Sequence, residues 1–314
     1  MISIKPATPT FVAEIGDVDL ARLTDAAFAE IEGAFERFAV LIFHGQPITE
    51  AQQLAFAQRF GKLEVSVQPF VQTPGGKRRI GEGMQDISNL DENGRLLAEK
   101  DNRRLINLAN QFWHTDSSFK RTPAKMSMLT AQSVVASGGE TEFADMRAAW
   151  DALPADRQKQ LEGLIAEHDY YRSRLMVGLD PKSISAERRA LRPAVPQVLV
   201  RTHPASGRKS LYLASHITRI YGMDDAAGRK LVDELTAHAT QPAFVYQHRW
   251  TVGDVVLWDN RCTMHRGRPF DESLPRAMRR ATICDIGPTV PENWHHAAKR
   301  LCAGHLAPTS RPMR

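Results

Sequence analysis

The stretch Trp113-His114-Thr115-Asp116-Ser117-Ser118-Phe119 carries an imidazole and a carboxylate two positions apart. In an extended chain, residues i and i+2 point to the same side. His114 and Asp116 therefore form two thirds of a facial metal site. The third ligand has to come from far along the chain. His265, in Trp258-Asp259-Asn260-Arg261-Cys262-Thr263-Met264-His265-Arg266, is the candidate. Two imidazoles and one carboxylate on one face leave three coordination positions open, which suits Fe(II) and O2 chemistry. An H-x-D pair alone is common on surface loops. Here it has company: Gly138-Gly139-Glu140-Thr141 lies between the two ligand segments, and arginines follow His265.

Fe(II) needs electrons to use dioxygen, and a 2-oxo acid supplies two of them together with a bidentate chelate. Its far carboxylate then needs a cation and a hydroxyl. Arg276 lies eleven positions after His265 and can give a bidentate pair. Thr141 can add a hydroxyl donor. Arg280 stands four residues after Arg276, so in a strand the two face one side. Arg276 would hold the cosubstrate, Arg280 an anionic substrate, and Arg279 would face away. The plain alternative is three solvated arginines near a strand start.

The rest of the chain must position these groups. Thr24 caps a helix with Phe28, Ile31, Phe35 and Phe38 at helical spacing, and Phe38–Phe43 reads as a buried strand. Thr49 caps a second helix that Gly61 ends. Residues 66–106 are polar and irregular and read as a lid-like insertion. Met126–Val135 is a strand, and Glu140–Phe143 a short one. Asp145 caps the helix Met146–Leu153, and another helix starts near Pro154. Residues 168–195 read as irregular. Val198–Thr202 with Leu211–Ala214 forms a hairpin, and Asp224–Thr240 is an amphipathic helix. Phe244–Trp250 with Asp254–Trp258 reads as a second hairpin across Val252-Gly253. Arg280–Asp285 is the last strand. This order predicts a mainly β protein with inserted helices, an antiparallel jelly roll, and argues against alternating α/β designs. Residues 1–290 are expected to be one domain and 291–314 a basic tail that would serve as an oligomer contact.

The chain has 314 residues, 42% hydrophobic and 25% charged, ordinary for a globular protein. The 41 basic residues against 36 acidic ones give a net charge of +5. That favours small anionic ligands over nucleic acid. No run reaches membrane-span length, and the start lacks the features of a secretory signal. Cys262, Cys284 and Cys302 make neither a disulfide framework nor a C-x-x-C site, which fits a reducing cytoplasm.

Several stretches carry a resemblance: Ala109–Phe119, Ser137–Ala149, Val200-Arg201-Thr202-His203, Ser206-Gly207-Arg208-Lys209, Trp258–Cys262 and Arg279-Arg280-Ala281-Thr282. On them the sequence resembles the taurine/2,4-dichlorophenoxyacetate dioxygenase family, over about Ala13 to Gly287. The resemblance implies a double-stranded β-helix, iron on His114, Asp116 and His265, and 2-oxoglutarate on Thr141 and Arg276. It implies a substrate anion on Arg280, with Asn110, His203 and His216 as further substrate-side candidates; His238 matches too but on a helix reads as structural. Trp113, next to a ligand, would be a target for self-hydroxylation or simply packing. The implied reaction hydroxylates the carbon beside the ether oxygen of an aryloxyacetate. The alternatives are the same chemistry on a sulfonate, an alkyl sulfate or a phenylpropanoid-like acid, or a non-catalytic cupin-like metal or anion binder. Expected partners are a small anionic substrate and further copies of the chain, without nucleic acid or membrane.

Overall fold

A computed structural model describes residues 1–64, 79–98, 101–292 and 294. Its largest element is a sheet of seven strands. From edge to edge they are Ser3–Pro6, Val12–Gly16, Val40–Phe43, Val255–Asp259, Ala124–Ser133, Ala277–Cys284 and Gln85–Ser88. All neighbours are antiparallel except Val12–Gly16 with Val40–Phe43. A second sheet, Val245–His248, Thr141–Asp145 and Thr263–Gly267, faces it. Together they make the jelly roll, a double-stranded β-helix.

The large sheet is covered on both sides, and its strands divide their side chains accordingly. Leu41, Phe43, Met126, Met128, Val255, Leu257, Ala281 and Ile283 pack under the helices Asp25–Phe38 and Glu50–Gln58. Their alternate neighbours Val40, Ile42, Leu129, Val256, Trp258 and Met278 fill the space between the two sheets with Phe143. This explains the unbroken apolar run at 40–43: both faces of that strand are dry. Phe38 closes the helix rather than opening the strand. Ala39, at φ 64°, donates its N–H to the Phe35 carbonyl and turns the chain.

The caps are where local chemistry puts them. Thr24 accepts from Ala27 N–H, Thr49 and Gln52 form a reciprocal capping box, and Asp145 and Asp224 cap their helices. The second helix ends at Gln58, before Gly61.

Three expectations need correction. Val245–His248 and Val255–Asp259 are not a hairpin: the first pairs with Thr141–Asp145, the second with Val40–Phe43 and Ala124–Ser133. The chain crosses from one sheet to the other at Gly253, φ 87°. Residues 168–195 hold two helices, Tyr170–Met176 and Ala186–Leu191. The described part of 66–106 contains the edge strand Gln85–Ser88 and the start of the helix Asn102–Ala109.

Most of the basic tail lies outside the described residues. Trp294 packs with Ile165 and Val290. Among the described residues no helix is long and apolar enough to cross a membrane, and Cys262 and Cys284 are free. Cys302 lies outside them.

Candidate active site

His114 and His265 are brought together by their own main chains. Each N–H donates to the other's carbonyl, at 3.0 and 2.8 Å. Their rings lie 4.2 Å apart at the mouth between the sheets. The segment around His114 is extended but not a full strand; Ser117, at φ 52°, bends it away after Asp116. Ligand atoms of His114, Asp116 and His265 all lie within 4.8 Å of one another, and all three residues are buried.

The details suit a cation. His114 Nδ1 lies 2.7 Å from the Phe112 carbonyl, so that nitrogen carries the proton and Nε2 keeps its lone pair. His114 Nε2 and His265 Nε2 lie 3.8 and 3.7 Å from the two oxygens of Asp116. Burial pushes both imidazoles below their usual pKa, so both are neutral donors. Burial alone would raise the Asp116 carboxyl. The Arg280 guanidinium and the two imidazoles outweigh it and leave the group at about 2. Two neutral nitrogens and an anionic oxygen are a donor set for Fe(II).

Sequence reasoning missed the groups that aim Asp116. Ser127 Oγ donates to Asp116 Oδ2 at 2.7 Å. Asn260 Nδ2 donates to that serine, and Asn260 Oδ1 accepts from Asp116 N–H and from Trp258 Nε1. Asn260 sits in the Trp258–Cys262 stretch and so had a signal; Ser127 had none.

Two cavities meet at His114, and Ile87, Asn110 and Arg280 line both. The first also holds Thr141, Trp258, His265 and Arg276. Arg276 donates through Nη2 to the Gly139 carbonyl at 3.0 Å and lies over the Phe270 ring. Burial lowers its pKa to about 10, opposed by Glu140. Trp250 Nε1 donates to Thr141 Oγ1 at 2.9 Å.

The second cavity holds Asp116, Phe119, Tyr170, Arg174 and His216. His216 lies 6.2 Å from the His114 ring and 4.9 Å from Phe119. Arg280 bonds Asp116 and Gln85 Oε1. Arg279 points the other way, to the Ile48 carbonyl.

His203 is not brought to the site. It lines neither cavity. It is buried against Asp259 and Ser206, at 3.0 and 2.9 Å, beside Arg261. His203, Asp259 and Cys262 form another potential ligand cluster. There the Arg261 guanidinium already neutralises Asp259, at 2.6 Å. Trp113 is turned into the cluster behind the small sheet, under Arg266. His238 bonds the Ala149 carbonyl, a structural role.

Comparison with known proteins bears on what this arrangement does. Residues 3–282 match the model of the taurine catabolism dioxygenase TauD, TfdA family. The chain belongs to this family. It is thus a dioxygenase of the 2-oxoglutarate-dependent kind, as the sequence led us to expect. It is 48% identical over 282 residues to the alpha-ketoglutarate-dependent 2,4-dichlorophenoxyacetate dioxygenase of Cupriavidus pinatubonensis, spanning 89% of this chain and 96% of that protein. It is 36% identical to the (S)-phenoxypropionate/alpha-ketoglutarate dioxygenase of Sphingobium herbicidovorans, over 89% of this chain and 94% of that one. Among solved structures, AAD-2 in complex with Mn(II) and N-oxalylglycine matches with a TM-score of 0.84 and 44% identity. That match covers 93% of this chain and all 100% of AAD-2.

Proposed function

We propose that this family member uses Fe(II), O2 and 2-oxoglutarate to hydroxylate the carbon next to the ether oxygen of an aryloxyacetate such as 2,4-dichlorophenoxyacetate. The products are a phenol, glyoxylate, succinate and CO2. One observation carries the reading: two cavities meet at the His114–Asp116–His265 cluster, Arg276 lining one and Arg280 both.

His114, Asp116 and His265 would hold the iron. When bound, the iron with 2-oxoglutarate and O2 supplies the oxidant that puts one oxygen atom into a substrate C–H bond. The protein's own residues bind and orient. Arg276 grips the far carboxylate of 2-oxoglutarate through two parallel N–H bonds. Trp250 N–H occupies a lone pair of Thr141 Oγ1, which leaves the hydroxyl proton free to donate to the same carboxylate. Arg280 draws the substrate carboxylate to the iron side. Asn110 and His216 stand on the substrate wall, and Phe119, Tyr170 and Ile87 give an aryl ring its apolar surface. The hydroxylated product is a hemiacetal. Its bond to the aryl oxygen breaks, the phenol leaves, and the former acetate becomes glyoxylate.

The aryloxy-acid relatives favour this substrate over a sulfate ester, although the alpha-ketoglutarate-dependent sulfate ester dioxygenase of Pseudomonas putida is 31% identical to this chain. We take residues 1–290 as one catalytic domain, in which Gln85 and Ile87, on the edge strand, form part of the cavity wall. Two free thiols among the described residues support a reducing, cytoplasmic setting.

The test is anaerobic titration with Fe(II) and 2-oxoglutarate, followed by the visible charge-transfer band of the chelate, and then 2,4-dichlorophenoxyacetate. A band that shifts with the acid, with phenol released in air, is expected. A band that responds to an alkyl sulfate but not to the acid moves the substrate. No band rejects the reading.

A further inference from the structure

The second cavity holds a cation that the mechanism above does not use. Arg174 stands on the short helix Tyr170–Met176 and lines the same cavity as Arg280. Its guanidinium lies 4.0 Å over the Tyr170 ring and 5.7 Å from Phe119. Nη1 donates to the Tyr170 carbonyl at 3.1 Å and to Ser173 Oγ at 2.9 Å. Nε is buried without a hydrogen-bond partner among the described residues. The charged groups that act on it are Arg192 and Arg280, both cations, with the Tyr170 phenol. The acids of this cavity are engaged elsewhere: Glu64 with Lys120, Asp86 with Arg79, Asp116 with Arg280 and the histidines. An arginine in an aromatic-walled cavity, facing other cations with no carboxylate of its own, is a site awaiting an anion.

The same helix orients a second donor. Arg174 can only donate, so Ser173 Oγ is an acceptor towards it. Its single proton is then free for His216 Nδ1, 3.2 Å away. With that proton given to Nδ1, the neutral His216 ring carries its own proton on Nε2. Arg174, Ser173 and His216 thus form one hydrogen-bonded run along the cavity wall.

We infer that Arg174 is a specificity-determining residue that holds the substrate carboxylate together with Arg280, with Ser173 positioning His216 beside it. The inference rests on the proposed aryloxyacetate reading. It makes the enzyme selective for the acid over its neutral amide. Two guanidinium groups reward a charged carboxylate far more than an uncharged carbonyl.

The test compares wild type, Arg174→Gln, Arg174→Lys and Ser173→Ala on 2,4-dichlorophenoxyacetate and on the matching aryloxyacetamide. Phenol release and substrate-stimulated consumption of 2-oxoglutarate are followed. We expect Arg174→Gln to raise KM for the acid about tenfold or more, to leave KM for the amide and for 2-oxoglutarate within about threefold, and so to collapse the acid preference. Lysine should restore part of it. Ser173→Ala should give a smaller loss with the same acid selectivity. If Arg174→Gln raises KM for acid and amide equally, the residue is only a wall and the inference falls. If wild type consumes 2-oxoglutarate but does not respond to the acid, inference and substrate reading fall together. If wild type responds and Arg174→Gln keeps the full acid preference, the inference alone is refuted.

Discussion

Replacing Arg276 by alanine should weaken 2-oxoglutarate binding about a hundredfold or more while barely touching the aryloxyacetate. Arg276 is 9% exposed, and among the described residues its guanidinium donates to the Gly139 carbonyl. Burial lowers its pKa to about 10. Holding that charge buried therefore costs roughly 3 kcal/mol. A bound carboxylate offsets this through two charge-assisted hydrogen bonds worth about 1.5–3 kcal/mol each. Losing both removes about 3–6 kcal/mol, and about 1.4 kcal/mol is a tenfold change. The free protein should suffer less than an ordinary buried truncation, because the variant also sheds a desolvated charge. The assay is anaerobic titration of the Fe(II) protein with 2-oxoglutarate, paired with steady-state KM for both substrates and a melting curve without ligands. Arg280→Ala should reverse the pattern, raising KM for the aryloxyacetate more than for 2-oxoglutarate. Equal effects of the two substitutions on both KM values would refute the division of roles.

His114→Ala should lose Fe(II) binding and turnover together; turnover that survives without bound iron would break the ligand assignment. Thr141→Val should raise KM for 2-oxoglutarate about tenfold and lower stability by about 1–3 kcal/mol. The stability loss arises because Trp250 Nε1–H then stays buried without its acceptor; it should appear as a lower denaturant midpoint. Burial raises the Asp254 carboxyl, but hydrogen bonds from His248, Thr251 and His44 overcome it and hold the group at about 2. A carboxyl with a depressed folded pKa stabilises the native state above its unfolded value near 3.8. That contribution, roughly 2 kcal/mol, is lost as pH falls from about 4 through 2. Asp254→Asn should flatten this part of the stability profile.

What the sequence made legible was local, or was chemistry that few residue types can do. Thr24, Thr49, Asp145 and Asp224 cap helices through hydrogen bonds spanning two or three residues, so the neighbouring residues suffice to find them. His114 and Asp116 were readable from their spacing, and Arg276 and Arg280 from theirs. What failed depended on distant partners. Val252-Gly253 looks like a hairpin turn, but Val245–His248 and Val255–Asp259 find better apolar faces in separate sheets. The helix Tyr170–Met176 has no clear periodicity and is held by Tyr171 in the core and by packing against Asn102–Ala109. Missing it hid Arg174. Ser127 and Gln85 hold Asp116 and Arg280 in place, and no sequence pattern marks such second-hand contacts. His203 matched by position in sequence, yet Asp259 and Arg261 claim it.

The large sheet, dry on both faces, has a consequence for how such a protein can change over generations. On the strands Ala124–Ser133, Val255–Asp259 and Ala277–Cys284, Ser127, Leu129, Trp258 and Arg280 look towards ligands, while Met126, Met128, Val255, Leu257, Ala281 and Ile283 look towards helices. Reactivity and robustness are thus inscribed on alternate letters of the same short words. Selection can rewrite one set to accommodate an unfamiliar compound while the other keeps the scaffold upright. A library confined to inward letters that line the cavities, with the core residues Val256, Trp258 and Met278 kept, should therefore retain many more folded members than one that randomises the outward ones.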